Sequence, residues 1–462
     1  MIDTSTSKKI KIHLSDYDYQ KDIENRLLMS ELSSFDLKVL EEIVYSSLHI
    51  PISKLAKTME TSEDFILPVV KKFSKVGLLV IENDTLSIDK QMRKYYEFQI
   101  IRYSIDFKPD LEFLQGLLKK VPIHVLPSWY SISRSTDNIF ESILEKYLRS
   151  PQAFHRYLQE FTCDTILWSI IQDVYSAPDC KVFAHQLQKK YQISKHKFEE
   201  YMLLLEYGLV CCSSYTQVDN NWEEIITPFQ EWKEYLLFLK KTEAPSILDS
   251  ILHKRTSPFA FIEDMSFLLD FLESKNLPDF SKHSPLSIPE IKNHYRNEIS
   301  PLLDNQLILA QKKLVLLDLA NHKNDALTPS KSAKKWKSLS LEKKALHNYL
   351  HPKNRILSIE TSEKNSRDAE KSILRALDAG WIYFDDFLLG VTSPLHEDHS
   401  IKLKRTGKSW RYELPSYTPE EKEIIKHTIF ESLFEVGMTS IGIHNQKDCF
   451  CVTPFGKKFF ES

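Results

Sequence analysis

The side chains with the most evident chemistry in this sequence are cations that alternate with aromatic rings in two short segments. Residues 331–355 hold eight lysines and arginines against one acid, with Trp336 and Tyr349 among them. Residues 401–412 add five cations, Trp410 and a tyrosine. Cations on long stems neutralise phosphates, and planar rings can stack on unpaired bases. The pattern favours a contact with nucleic acid, and the alternative of two solvated loops with structural tryptophans stays open.

A third group of lysines lies in residues 62–77, which the apolar spacing predicts to be a helix. In a winged helix the third helix often enters the major groove while the wing contacts the backbone. The predicted contact residues of the three groups are Lys331, Lys334, Lys335, Trp336, Lys337, Lys343, Lys344, Lys402, Lys404, Arg405, Lys408, Trp410, Arg411, Lys71, Lys72 and Lys75.

The sequence predicts no catalytic site. The histidines of His-Glu-Asp-His at 396–399 are three apart, whereas the zinc proteases with His-Glu-x-x-His need four on a helix. Asp385 and Asp386 lie where a helix is expected to begin, so they complement its dipole. A phosphate-binding loop and a recognisable nucleophile signature are both missing from the sequence. We therefore expect a protein that is not an enzyme and that has no cofactor and no bound metal.

The remaining chemical features point to a reduced compartment. The six cysteines include the adjacent pair Cys211 and Cys212, a poor spacing for zinc, so small buried strand residues are the better interpretation. The sequence has no secretory leader and no apolar run of about 18 residues. We expect a cytoplasmic protein with free thiols and no membrane contact. The net charge of −3 excludes a global basic field, so any nucleic-acid contact must be local.

These segments must be positioned by several small domains, because 462 residues are too many for one ordinary core. Only nine glycines occur, which disfavours sandwiches and Rossmann-type turns and favours helices. Residues 33–90 show three amphipathic helical stretches, a glycine at 77, and two short apolar runs around Asn83-Asp84. Three helices followed by a hairpin predict a winged helix.

The same plan recurs along the chain. Residues 162–240 repeat it with a glycine at 208, and residues 366–462 repeat it with a capping box at Thr418 and a glycine at 437. A poorer copy in 285–330 lacks the glycine. Thr-Pro ends the last strand of three copies, because proline offers no amide to a further strand and can begin a helix. We predict left-handed backbone conformations at all three glycines.

The predicted fold is therefore mainly α with small β-hairpin wings, arranged as tandem winged-helix domains. The predicted segments are an N-terminal extension (1–32), a first winged helix (33–105), a helical connector (106–160), a second winged helix (161–242), a helical region with the degenerate copy (243–330) and a C-terminal winged-helix domain (331–462).

Residues 331–462 resemble the bacterial helicase-associated domain, a relative of the accessory N-terminal domain of XPB-type DNA repair helicases. The positions that carry the resemblance are Trp336, Leu339, Leu374-Arg375-Ala376-Leu377, Trp381, Gly437, Thr453-Pro454 and Gly456. The resemblance implies winged-helix folding and an association with nucleic-acid transactions, and we expect a helicase or transcription protein as partner. It implies no motor, because the motor motifs are missing.

Two functions remain open at this point. The first is a non-enzymatic protein that binds DNA or RNA, or that assists a helicase or transcription complex. The second is a winged-helix scaffold that binds only protein and mediates assembly or dimerisation. The sequence leaves the oligomeric state and the identity of the partner undetermined.

Overall fold

The computed structural model describes residues 19–120, 140–141, 144–219, 221–275, 277–280, 283–296, 301–323, 326–351, 363–393, 395 and 401–461. The predicted mainly helical chain with small antiparallel sheets is confirmed in these residues. Two compact units are present, Met1–Phe238 with Lys402–Glu413 and Leu239–Ile401 with Leu414–Ser462. No described helix is long and apolar enough to cross a membrane.

The elements up to residue 241 are α1 (Tyr19–Met29), α2 (Ser34–Tyr45), β1 (His49–Pro51), α3 (Ile52–Thr58), α4 (Glu63–Lys75), β2 (Leu79–Glu82), β3 (Thr85–Ile88), α5 (Lys90–Ile101), α6 (Leu111–Lys120), α7 (Pro151–Leu158), α8 (Thr165–Ser176), β4 (Val182–Phe183), α9 (Ala184–Tyr191), α10 (Lys195–Tyr207), β5 (Cys211–Val218), β6 (Asn221–Pro228) and α11 (Gln230–Lys241). A π-helical turn (Leu144–Leu148) precedes α7, and a 3₁₀ turn (Gln159–Cys163) follows it.

The later elements are β7 (Leu252–His253), α12 (Ala260–Ser274), β8 (Leu277–Pro278), α13 (Pro289–His294), α14 (Pro301–Leu316), β9 (Ala320–Lys323), β10 (Ala326–Pro329), α15 (Lys331–Lys337), α16 (Leu341–Leu350), α17 (Glu363–Lys371), β11 (Ile382–Tyr383), α18 (Phe384–Leu389), β12 (Leu403–Thr406), β13 (Ser409–Tyr412), α19 (Pro419–His427), α20 (Leu433–Glu435), β14 (Thr439–His444), β15 (Lys447–Val452) and α21 (Pro454–Glu461). Two 3₁₀ turns (Pro285–Ser287 and Ser372–Ala376) and a π-helical turn (Thr428–Ser432) complete them.

One order of elements occurs four times in the described residues: helix, short strand, two helices, hairpin. Repeat 1 spans 34–88, repeat 2 spans 165–228 and repeat 3 spans 260–329. Repeat 4 spans 363–452, and the hairpin of β12 and β13 is inserted between its helices α18 and α19. In each sheet the short strand pairs with the second hairpin strand, in the orders β1-β3-β2, β4-β6-β5, β8-β10-β9 and β11-β15-β14. Repeat 3 is thus complete and begins earlier than the copy predicted at 285–330.

The junction between the third helix and the hairpin has the same backbone conformation and hydrogen bonding in all four repeats. A left-handed residue stands there, Gly77, Leu209, Asp318 or Gly437. The next amide donates to the carbonyl five residues back, as Leu78 does to Phe73, which is a Schellman motif. The predictions for Gly77 and Gly437 are confirmed.

The prediction for Gly208 is wrong, since its φ is −77°. A Cβ at this position would lie 2.7 Å from the Phe161 ring and 2.8 Å from the Leu204 carbonyl oxygen. Glycine is therefore required here by close packing rather than by backbone handedness, and Leu209 takes the left-handed position.

The Thr-Pro pairs end sheets as predicted. Pro228 is the last residue of β6 and faces Cys211, and Pro329 ends β10 facing Ala320. In repeat 4 the Thr453 hydroxyl accepts from the Gly456 amide at 3.0 Å and so supports the start of α21. A helix follows the hairpin in every repeat, namely α5, α11, α15 or α21.

A buried ionic network holds α1 on α10 in the first unit. Arg26 Nε donates to Glu199 Oε2 at 2.8 Å, and Arg26 Nη1 donates to Glu206 Oε2 at 3.2 Å. Arg102 also donates to Glu206 and to the Ser213 carbonyl. The two arginines hold the pKa of Glu206 at about 2 against the effect of burial.

Candidate nucleic-acid interface

The β-hairpin formed by β12 and β13 belongs to the first unit and carries five exposed cations. Its inner face is held by the neighbouring backbone. The Leu403 amide donates to the Arg149 carbonyl at 3.0 Å, and the Tyr412 hydroxyl donates to the Leu148 carbonyl at 3.0 Å. Gly407 supplies the left-handed residue of the turn, with a φ of 65°. These contacts fix which face of the hairpin points to solvent.

The outer face carries like charges opposite each other. Lys404 is directly opposite Arg411 in the antiparallel register, and Lys402 shares their face two residues earlier. All three side chains are exposed, as are Arg405 and Lys408. Like charges directly opposite in a sheet destabilise it, so this arrangement has a cost in the free protein. An anion bridging the pair would remove that cost.

Two carboxylates lie beside these cations. Glu413 pairs with Lys404, and Glu234 Oε2 lies 3.7 Å from Arg411 Nε. Both ion pairs are exposed and therefore weak, so phosphates can compete for the cations. The five cations of the hairpin still outnumber these two acids. The charge pattern of the hairpin does not reveal Glu234, which is distant in the sequence.

Trp410 lies on the inner face, opposite Arg405 in the register. It is half-buried, its ring centroid is 5.9 Å from that of Phe140, and the Arg405 guanidinium carbon is 5.9 Å from the indole centroid. The indole thus helps to seat the hairpin. Base stacking on Trp410 would compete with these contacts.

The cations of residues 331–344 belong to the second unit, so the two basic segments do not share one compact unit. Lys331, Lys334, Lys335 and Lys343 are exposed. Lys337 pairs with Asp270 and, at 2.8 Å, with Glu273, and hydrogen bonds to both carboxylates raise its pKa. The prediction that Lys337 is a free phosphate contact is therefore not supported by its surroundings.

Two predicted contact residues are buried and serve the core instead. Trp336 is 2 % exposed, and its Nε1 donates to Asn348 Oδ1 at 3.1 Å. Lys344 is also buried, donates to Ser266 Oγ at 3.0 Å, and lies 4.9 Å from the centre of the Trp336 ring. Burial lowers the pKa of Lys344. The prediction that Trp336 stacks on bases and that Lys344 contacts phosphate is wrong.

The third group lies on α4 of repeat 1. Lys71, Lys72 and Lys75 are all exposed, and Lys72 donates to Asp36 Oδ2 at 3.0 Å. The adjacent hairpin presents the acids Glu82 and Asp84 to solvent. Acids on this hairpin repel phosphate, so repeat 1 is poorly suited to contact a DNA backbone with it.

The third helices of the other repeats have little exposed surface. Helix α10 is covered by α1 through the Arg26 network, and most described side chains of α14 and of 419–435 are buried or half-buried. A groove-reading helix needs an open face. Among the described third helices, α4 has the most exposed face.

Two further sets of residues bear on the chemistry. The histidines at 396–399, together with Lys353 and Arg355, fall outside the described residues. In the part of the chain that the structure describes, no three His, Cys, Asp or Glu side chains are grouped to hold a metal ion. All six cysteines are free thiols, and Asp385 and Asp386 lie in the first turn of α18.

Comparisons of this chain with models of protein families, with curated proteins and with solved structures found no match. The geometry of the described residues therefore carries the functional argument by itself.

Proposed function

We propose that this chain is a tandem winged-helix protein that binds nucleic acid through phosphate contacts of the hairpin at 402–413 and catalyses no reaction itself. The fourfold order of helix, strand, two helices and hairpin, with the short strand beside the second hairpin strand, supports winged-helix domains. A separate helicase or transcription protein would be its partner, since the resemblance of residues 331–462 implies an association with nucleic-acid transactions.

The outer face of the hairpin is the observation that carries this proposal. Lys402, Lys404 and Arg411 lie on one exposed face of the hairpin, whose opposite face packs on the protein. Side chains two residues apart along a strand are separated by about 7 Å. Such a row can follow successive phosphates of one strand. The cross-strand pair can bind one phosphate between two cations.

The proposed binding depends on phosphate and is indifferent to base sequence. Trp336 is buried, and the Trp410 ring packs near Phe140 on the inner face of the hairpin. Three of the four described third helices are largely covered. Direct reading of bases therefore has little support. Affinity should fall steeply with salt, because phosphate contacts release counterions.

A pair of matched variants tests the proposal. The hairpin variant carries Lys402→Gln, Lys404→Gln, Lys408→Gln and Arg411→Gln. The control carries Lys331→Gln, Lys334→Gln, Lys335→Gln and Lys343→Gln, which removes the same charge from exposed lysines of the second unit. In fluorescence anisotropy with a labelled duplex at low salt, the hairpin variant should bind about 100-fold more weakly than wild type. The control should retain most of the affinity, and equal losses in both variants would contradict the assignment to the hairpin.

A second candidate function, a protein-only scaffold, is favoured by the surface of repeat 1. Phe65 on α4 is 68 % exposed and Val80 on β2 is 56 % exposed, beside the acidic hairpin tip. Exposed apolar side chains of this size suit a protein partner. If wild type binds neither duplex nor single strands at low salt, the scaffold function replaces the nucleic-acid one.

A further inference from the structure

The second unit contains a cavity of about 540 Å³, a volume in the range of small-molecule sites. The third helices of repeats 3 and 4 form one part of its wall. The other part comes from β14, β15, a residue beside β7 and a residue of α12. The cavity thus lies against the two helices that a DNA-binding winged helix would present to a groove.

The apolar part of the lining is aromatic. Phe261, Phe430, Phe434 and Ile441 line the cavity and are each less than 10 % exposed in the folded chain. The helix that carries Phe430 changes at this point from α to a π-helical turn over Thr428–Ser432. Single π-turns inside α-helices occur frequently at functional sites, because the extra residue redirects side chains.

The polar part of the lining holds an excess of cationic donors at one place. Lys254 Nζ lies 3.0 Å from Asp448 Oδ1, and Lys426 Nζ lies 3.0 Å from Asp448 Oδ2. Two ammonium groups thus share one carboxylate. A second anion placed between them would accept hydrogen bonds from the N–H groups that Asp448 does not use.

The side-chain amide of Gln306, which also lines the cavity, is oriented to donate as well. Its Oε1 accepts from Arg255 Nη1 at 2.9 Å. Arg255 is itself fixed by Asp264 at 2.7 Å. Because the amide oxygen is engaged, the Gln306 amide offers its NH₂ group as a donor.

Two further carboxylates of the lining, the exposed Glu431 and the buried Glu435, have partners. Glu431 lies 2.9 Å from His427 Nδ1, and Glu435 lies 2.9 Å from Lys313 Nζ. Glu423 is on the exposed rim. Among the described lining residues, Lys254, Lys426 and Gln306 can donate to a ligand, and the buried Nε2 of His427 has no hydrogen-bond partner.

We propose that this cavity binds a small organic anion, with a carboxylate or phosphate head between Lys254 and Lys426 and a flat apolar body against Phe261, Phe430 and Phe434. The head and the body are recognised by different parts of the lining. Neither inorganic phosphate nor an uncharged aromatic molecule satisfies both.

Binding to the full chain is measured by calorimetry with probes that separate head from body. Naphthalene-2-carboxylate should bind about tenfold more tightly than 2-naphthamide, which has the same body without the charge. AMP compared with adenosine and with inorganic phosphate shows whether a phosphate head is preferred. Equal affinity for naphthalene-2-carboxylate and its amide, together with equal affinity for AMP and adenosine, would overturn the proposal, as would no binding of any probe at about 5 mM.

Variants of the lining residues test whether the preferred anion binds in this cavity. Lys254→Met or Lys426→Met should weaken binding of the preferred anion about tenfold, whereas Asp448→Asn should strengthen it by freeing both ammonium groups. Lys422→Met is the control, because Lys422 is exposed on the same helix and does not line the cavity. If Lys426→Met and Lys422→Met change the affinity equally, the anion binds elsewhere and the proposal fails.

Discussion

Replacing Arg26 by methionine should open the contact between α1 and α10. The change leaves Glu199, which is 0 % exposed, without its cation, and Glu199 Oε1 has no hydrogen-bond partner even in wild type. Glu206 keeps Arg102. Removing one partner of a buried ion pair costs about 3–5 kcal/mol, because a buried charge is left uncompensated.

Hydrogen exchange of the full chain measures this loss locally. Amides of α10 should lose protection by about 100-fold or more, since every 1.4 kcal/mol is tenfold, while amides of α12 in the second unit should not change. Lys195→Met is the matched control, because it removes the exposed 3.3 Å pair with Glu31 and should cost at most about 1 kcal/mol. The double variant Arg26→Met with Glu199→Met should regain part of the protection. Unchanged α10 exchange in Arg26→Met would refute the reasoning.

Three further predictions concern pH and packing. Burial and the nearby Glu199 raise the pKa of Glu224 from 4.5 to about 8. Between these pH values the folded chain binds a proton that the unfolded chain does not, so the first unit loses stability as pH rises through this range. Glu224→Gln should flatten this decline in urea titrations. Gly437→Ala should cost clearly more than Gly380→Ala in thermal unfolding: both have positive φ, but only at 437 would a Cβ lie 2.5 Å from the Phe259 ring. Trp336→Ala should lower the stability of the second unit by about 3–5 kcal/mol in chemical denaturation, and a fully stable variant with weakened nucleic-acid binding would contradict its placement in the core.

Local signals in the sequence predicted local structure well. The hairpin expected around Asn83-Asp84 is formed, and both turn residues have positive φ. The Thr418 capping box with Glu421 is formed as predicted. These features depend on residues two to four positions apart, so the sequence alone is sufficient to recognise them.

Features that depend on distant residues were missed. The left-handed position of repeat 2 falls on Leu209, and residue 208 is a glycine because Phe161 approaches it too closely for any side chain. Repeat 3 was recognised only in part, since β8 has two residues and the junction uses Asp318 in place of glycine. No pattern within the sequence shows these contacts in advance.

The candidate site was predicted by charge but not by geometry. Lysine spacing predicted the exposed cations of 402–411 and also Lys344, which is buried. The difference arises from the partners: Lys344 packs over Trp336, whereas Lys404 faces Arg411 across an open hairpin face. The cavity of the second unit joins residues almost 200 positions apart and left no signal in the sequence.

The salt dependence of duplex binding tests the central claim most directly. The logarithm of the association constant of wild type is plotted against the logarithm of salt concentration, beside the variant with Lys402→Gln, Lys404→Gln, Lys408→Gln and Arg411→Gln. Each lost phosphate contact should reduce the slope by about 0.9, so the variant should lose about 2.7 units if Lys404 and Arg411 share one phosphate and about 3.6 if they do not, equally for unrelated duplex sequences. A wild-type slope near zero, or the same slope in both proteins, would contradict phosphate binding by the hairpin.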